Sequence, residues 1–105
     1  MPSTLRVVVV AVLLLNLLDA VLTLVWVHAG IAQEANLLLA RVLEQSSVGF
    51  VLVKMGLVSS GLMLLWQQRA RLLARAGFAV ALFAYSALFV YHLAIAAAAM
   101  EQVIA

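Results

Sequence analysis

Residues 5–27 read LRVVVVAVLLLNLLDAVLTLVWV, a run in which Arg6, Asn16, Asp19 and Thr23 are the only strongly polar side chains. About 20 predominantly apolar residues at 1.5 Å rise cross a ~30 Å hydrocarbon core, so this run has the length of a transmembrane helix. Two more runs follow. Residues 48–66 read VGFVLVKMGLVSSGLMLLW, and residues 77–99 read GFAVALFAYSALFVYHLAIAAAA. The first run has a small-residue stretch at Val27-His28-Ala29 that resembles a signal-peptide cleavage site. It is too long for a signal h-region of ~7–15 residues, and two further spans follow it, so it reads as a retained span.

The composition agrees with this distribution. The 105 residues are 69% hydrophobic and 10% charged, with mean hydropathy +1.26. Soluble domains average roughly half apolar and a quarter charged. The chain has no cysteine, which excludes disulfides, Cys-ligated zinc and thiol nucleophiles. Its six basic residues form no continuous patch, so nucleic acid is not an expected partner. The expected fold is all-α: one domain over 1–105, an integral membrane bundle of three transmembrane helices. The spans lie at about 5–27, 48–66 and 77–99. A short interfacial or re-entrant helix occupies about 36–45 in the first loop, with Asn36 as its N-cap. Gly30 is placed to end the first span as its C′ residue.

Arginine placement sets an orientation. Gln67–Ala76 (QQRARLLARA) carries Arg69, Arg71 and Arg75, and the N-terminal segment carries Arg6. The positive-inside rule places both in the cytoplasm and puts the first loop and the C-terminus outside the cell membrane. Arg69, Arg71 and Arg75 then meet anionic lipid headgroups. Trp26 and Trp66 fall at opposite interfaces, as members of aromatic belts.

Charges inside the apolar runs are the sharpest signal. A charged residue at the centre of a membrane helix costs about 2.5–3.5 kcal/mol on insertion scales, so it is seldom without a partner or a task. With span centres near residues 16, 57 and 88, Asp19 and Lys54 both lie about 4–5 Å outward of the midplane, and His92 about 6 Å outward. Asn16, Asp19 and Thr23 share one helical stripe, and Tyr85 and His92 share another. The expected polar cluster is therefore Asn16, Asp19, Thr23, Lys54, Tyr85 and His92. One reading makes Asp19–Lys54 a buried ion pair that fixes helix rotation. The other has the cluster bind a ligand or move a proton. On the outer side, His28, Glu34 and Asn36 form a possible ligand or metal set. A haem between His28 and His92 is disfavoured, because their depths differ by about 10 Å. Gly56-x-x-x-Ser60 is a small-xxx-small pattern suited to close helix packing.

The string Asn16-Leu-Leu-Asp19-Ala-Val-Leu-Thr23, with Gly30, Glu34-Ala-Asn36 and Lys54, resembles a family of small prokaryotic membrane proteins catalogued as a domain of unknown function. The pattern is N-x-x-D-x-x-x-T, then G, E-x-N-P and a lysine in the next span. The resemblance covers about Leu5–Trp66, and Leu37 departs from it by standing where the family has proline. It implies three or four membrane helices and these polar positions, with no established activity. No nucleophile–base pair is visible, so an enzyme is not expected, and no cofactor is implied. The expected function is that of an interaction or assembly protein, as a homo-oligomer or an accessory subunit beside other membrane subunits in the lipid bilayer. The alternatives are an oligomeric ion- or proton-conducting unit and a metal- or small-ligand-binding membrane protein.

Overall fold

The computed structural model describes residues 2–31, 34 and 37–104. Four helices account for nearly all of them: α1 (Pro2–His28), α2 (Leu37–Gln45), α3 (Ser47–Gln67) and α4 (Leu72–Ile104). Among the described residues there is no strand. Three of the helices are long and apolar enough to cross a membrane, over Thr4–His28, Ser47–Gln67 and Leu72–Gln102.

The α1 terminus follows from its last residues. Gly30 has φ +75°, Gly30 N–H donates to the Val27 carbonyl at 3.0 Å, and Ile31 N–H donates to the Trp26 carbonyl at 2.9 Å. That pair of bonds is a Schellman motif, with glycine at the left-handed position it favours. The N-cap proposed for α2, Asn36, lies outside the described residues; α2 starts at Leu37 although proline is absent there. Only Ser46, in extended conformation, separates α2 from α3. Its hydroxyl accepts from Gly49 N–H at 3.0 Å and caps α3.

The second loop is shorter than Gln67–Ala76. The turn is confined to residues 68–71, and α4 already begins at Leu72. Leu72-Leu73-Ala74-Arg75-Ala76 are strong helix formers with no breaker among them, so the helix continues past the apolar stretch. At its other end α4 runs through Met100, Glu101 and Gln102 for the same reason. At 1.5 Å per residue α4 is about 50 Å long, more than a ~30 Å hydrocarbon core requires, so it tilts or projects from it.

α1 is the central helix, packing against both α3 and α4, while α3 and α4 touch each other less. One core cluster joins Ala20, Leu39, Leu43 and Phe50 near the His28 end. A second joins Val12, Leu62 and Phe78 nearer the turn at 68–71. α2 buries only Leu39 and Leu43, one turn apart, and leaves Leu37 and Leu38 exposed. Along α1 and α3, Asn16, Asp19 and Lys54 lie between the two apolar clusters.

Candidate functional site

The site starts from Asp19, which is 5% exposed and set on α1 between the two clusters. A buried carboxylate requires a countercharge and hydrogen-bond donors. Lys54 of α3 supplies the charge and pairs with Oδ2 of Asp19. His92 of α4 supplies a donor, with its Nε2 at 2.6 Å from Oδ1. One carboxylate thus ties all three spans together, each through a different atom.

A fourth residue completes the set. The indole N–H of Trp26 donates to His92 Nδ1 at 3.0 Å. An indole nitrogen can only donate, so Nδ1 must accept, which assigns the imidazole proton to Nε2, facing Asp19. The acceptor-only Asp19 carboxylate requires the same tautomer, Trp26 occupies Nδ1 and orients the ring, and neither imidazole nitrogen is left for a metal or a haem iron. Trp26 is therefore more than a belt residue: its polar edge is turned into the bundle. Its place is legible after the fact, since Asn16, Asp19, Thr23 and Trp26 follow spacings of three, four and three on one helical stripe.

The remaining members are less closely joined. Asn16 is fully buried; its Nδ2 donates to the Met55 thioether at 3.1 Å, and its Oδ1 has no partner. Sulfur is only an acceptor here, so the amide has its NH2 group toward Met55 and leaves the carbonyl orphaned. Thr23 is buried one turn beyond Asp19. Tyr85 is packed with the Val12–Leu62–Phe78 cluster, about two turns along α4 from His92. It does not join the hydrogen-bonded group. Lys54 Nζ also sits 5.9 Å from the Phe50 ring centroid, over its face.

The outer-side set is separate. His28 is exposed, with Nε2 3.0 Å from the Ser47 hydroxyl, so it bridges the end of α1 to the start of α3. His28, Glu34 and Glu44 line a pocket of about 540 Å³ whose wall includes Val27, Leu37 and Leu43. Among the described residues no three His, Asp or Glu side chains converge as a metal-ligand group. Asn36, the third member of the expected set, lies outside the described residues. At the other end, Arg69 donates to the Trp66 carbonyl at 2.9 Å and stacks 4.6 Å from the Trp66 ring. Arg75 Nε donates to the Arg69 carbonyl at 3.2 Å, and Arg71 lines a pocket beside Gln68.

The small-residue pattern of α3 behaves differently from expectation. Gly56 and Ser60 are exposed, and a Cβ placed on Gly56 would meet nothing within 4 Å. The Ser60 hydroxyl donates back to the Gly56 carbonyl at 2.8 Å. Close packing within the chain occurs instead at Gly77, where a Cβ would come within 2.9 Å of Leu65 Cδ2.

A family model described as a domain of unknown function, DUF5658, matches residues 10–98. The match runs through most of α4, so it extends well past the Leu5–Trp66 stretch that carries the resemblance read from the sequence. No curated protein and no solved structure matches the chain.

Proposed function

Because the chain belongs to the DUF5658 family, a domain of unknown function with no activity attached, we propose from its geometry that it is a non-catalytic assembly protein of the cell membrane. It acts as a homo-oligomer or as an accessory subunit of a larger membrane complex, with lipid and membrane subunits as partners and no nucleic acid. The observation that carries this reading is the outward Gly56–Ser60 face. Small residues let helix backbones approach closely, and in lipid such approach is a principal source of helix association. Among the described residues this face has no partner helix within the protomer.

The expected test uses Gly56→Leu. The open space at Gly56 accommodates the side chain, and leucine is a better helix former than glycine. Fluorescently tagged wild-type chains in bilayers should bleach in multiple steps, and Gly56→Leu should shift the distribution toward single steps with helicity unchanged. Single-step bleaching of the wild type would rule out self-association.

Three ionisable residues from three spans in one layer also favour a conducting unit as a second reading. Against it stands the closed network: Asp19 is neutralised by Lys54, and both nitrogens of His92 are occupied. We expect proteoliposomes to show no pyranine-detected proton flux above empty vesicles. Flux that disappears in Asp19→Asn would replace assembly with transport as the better account.

The arginine-bearing turn and Arg6 support a cytoplasmic N-terminus and an outer C-terminus. A cysteine introduced at Ala70 should react with an impermeant maleimide only after the cells are opened. Reaction in intact cells would invert the orientation.

A further inference from the structure

The face between α3 and α4 carries a feature independent of assembly. One pocket, about 280 Å³, is floored by Val12 and flanked by Val58, Ala81 and Tyr85. Another, about 470 Å³, reaches Gln68 and Arg71. Gly61 and Leu65 line both, so the two adjoin along α3. A Cβ on Gly61 would meet nothing within 4 Å, so the groove is open beside this residue. The result is a shallow, open apolar groove along the span that leads to a cation at its end.

The cation is distinguished from its neighbours. Arg69 is engaged with the Trp66 carbonyl and ring, and Arg75 with the Arg69 carbonyl. Among the described residues the Arg71 guanidinium has no side-chain or carbonyl partner. Among the described residues no carboxylate supplies a countercharge there: Asp19 is buried with Lys54 and His92, while Glu34, Glu44 and Glu101 belong to the opposite end of the bundle. A second copy inserted in the same orientation has its carboxylates in the same wrong place.

We infer that the α3–α4 groove binds one anionic phospholipid, with an acyl chain in the slot beside Gly61 and the phosphate at Arg71 and Gln68. Arginine suits this role because its planar donors match phosphate oxygens in pairs. Basic pockets between membrane helices are recurrent sites for anionic headgroups. A free phosphate would leave the apolar slot without an occupant, which is why the lipid is the better match.

The test is native mass spectrometry of the full chain released from mixed phosphatidylglycerol and phosphatidylcholine bilayers. The wild type should retain one phosphatidylglycerol per protomer, favoured about fivefold or more over phosphatidylcholine. Arg71→Gln should abolish that preference and Arg75→Gln should keep it. Gly61→Leu, checked for helicity by circular dichroism, should lose the retained lipid of either kind. Equal retention of both lipids by the wild type would overturn the proposal, as would equal losses in Arg71→Gln and Arg75→Gln, which mean diffuse attraction. A Gly61→Leu variant that changes oligomer mass while its lipid content stays the same would assign the slot to a protein partner and overturn it too.

Discussion

Lys54→Met is expected to destabilise the bundle by about 3–5 kcal/mol, because it leaves the Asp19 carboxylate buried with a hydrogen bond and no countercharge. Asp19 has a short side chain and cannot reach water from its place between the clusters. The reverse change, Asp19→Asn, should cost less. Asparagine keeps an acceptor oxygen for His92 Nε2, and the Lys54 ammonium, left unpaired, sits on a flexible stem that can extend toward the interface. Ser47, at the start of α3, lies only about 10 Å away along the helix axis. The double variant Asp19→Asn/Lys54→Met should recover most of the loss, since it removes both charges and keeps the hydrogen bond. Equilibrium unfolding by increasing SDS fraction in mixed micelles would measure all four members of the cycle. A double variant destabilised by the full sum of the two single losses would mean the two residues are uncoupled, and the pair would lose its role as the rotational lock.

The second large effect is expected at the far side of the same carboxylate. His92→Phe keeps an aromatic ring of similar shape but removes the donor to Asp19 and the acceptor for Trp26. A hydrogen bond to a charged group contributes about 1.5–3 kcal/mol, and a buried donor left unmade costs about 1–3 kcal/mol. Trp26→Phe removes only the weaker neutral bond and should cost about 1 kcal/mol. Its diagnostic effect is on the tautomer. In the wild type the two imidazole nitrogens should give the 15N shifts of one species, protonated at Nε2. In Trp26→Phe the Nδ1 acceptor loses its donor, and the shifts should move away from that single species. An unchanged tautomer signature in Trp26→Phe would show that Asp19 alone sets the ring, leaving Trp26 a packing residue.

Much of the site was legible because two simple rules bear on it. The length and hydropathy of the runs identify the three long helices, and the rise per residue puts Asp19, Lys54 and His92 at one depth. Mutual contact follows because charges in an apolar segment satisfy each other at lower cost than they can be left alone. Trp26 escaped this logic. Its amphipathic ring fits an interfacial belt as readily as a hydrogen bond into the bundle, and composition does not separate the two. Tyr85 shares a stripe with His92 but stands about two turns along α4 from it, and it packs with the Val12–Leu62–Phe78 cluster. Gly56 and Ser60 met the packing pattern, but a pattern on one helix does not name the helix that covers it.

The sequence by itself determined the all-helical class, the three spans and the depth of their charges, because those depend on length, hydropathy and the 1.5 Å rise along one helix at a time. It also marked Gly30 as a helix end, since the left-handed position there is a local requirement. Tertiary structure alone decided that α1 is the central helix, that Trp26 closes the Asp19–His92 chain, and that the small face of α3 and the slot at Gly61 open outward. Those features depend on the rotation of each helix about its own axis. Apolar residues surround each span nearly all the way round, so hydropathy leaves rotation free, and the contacts between helices, chiefly those of Asp19 with Lys54 and His92, fix it.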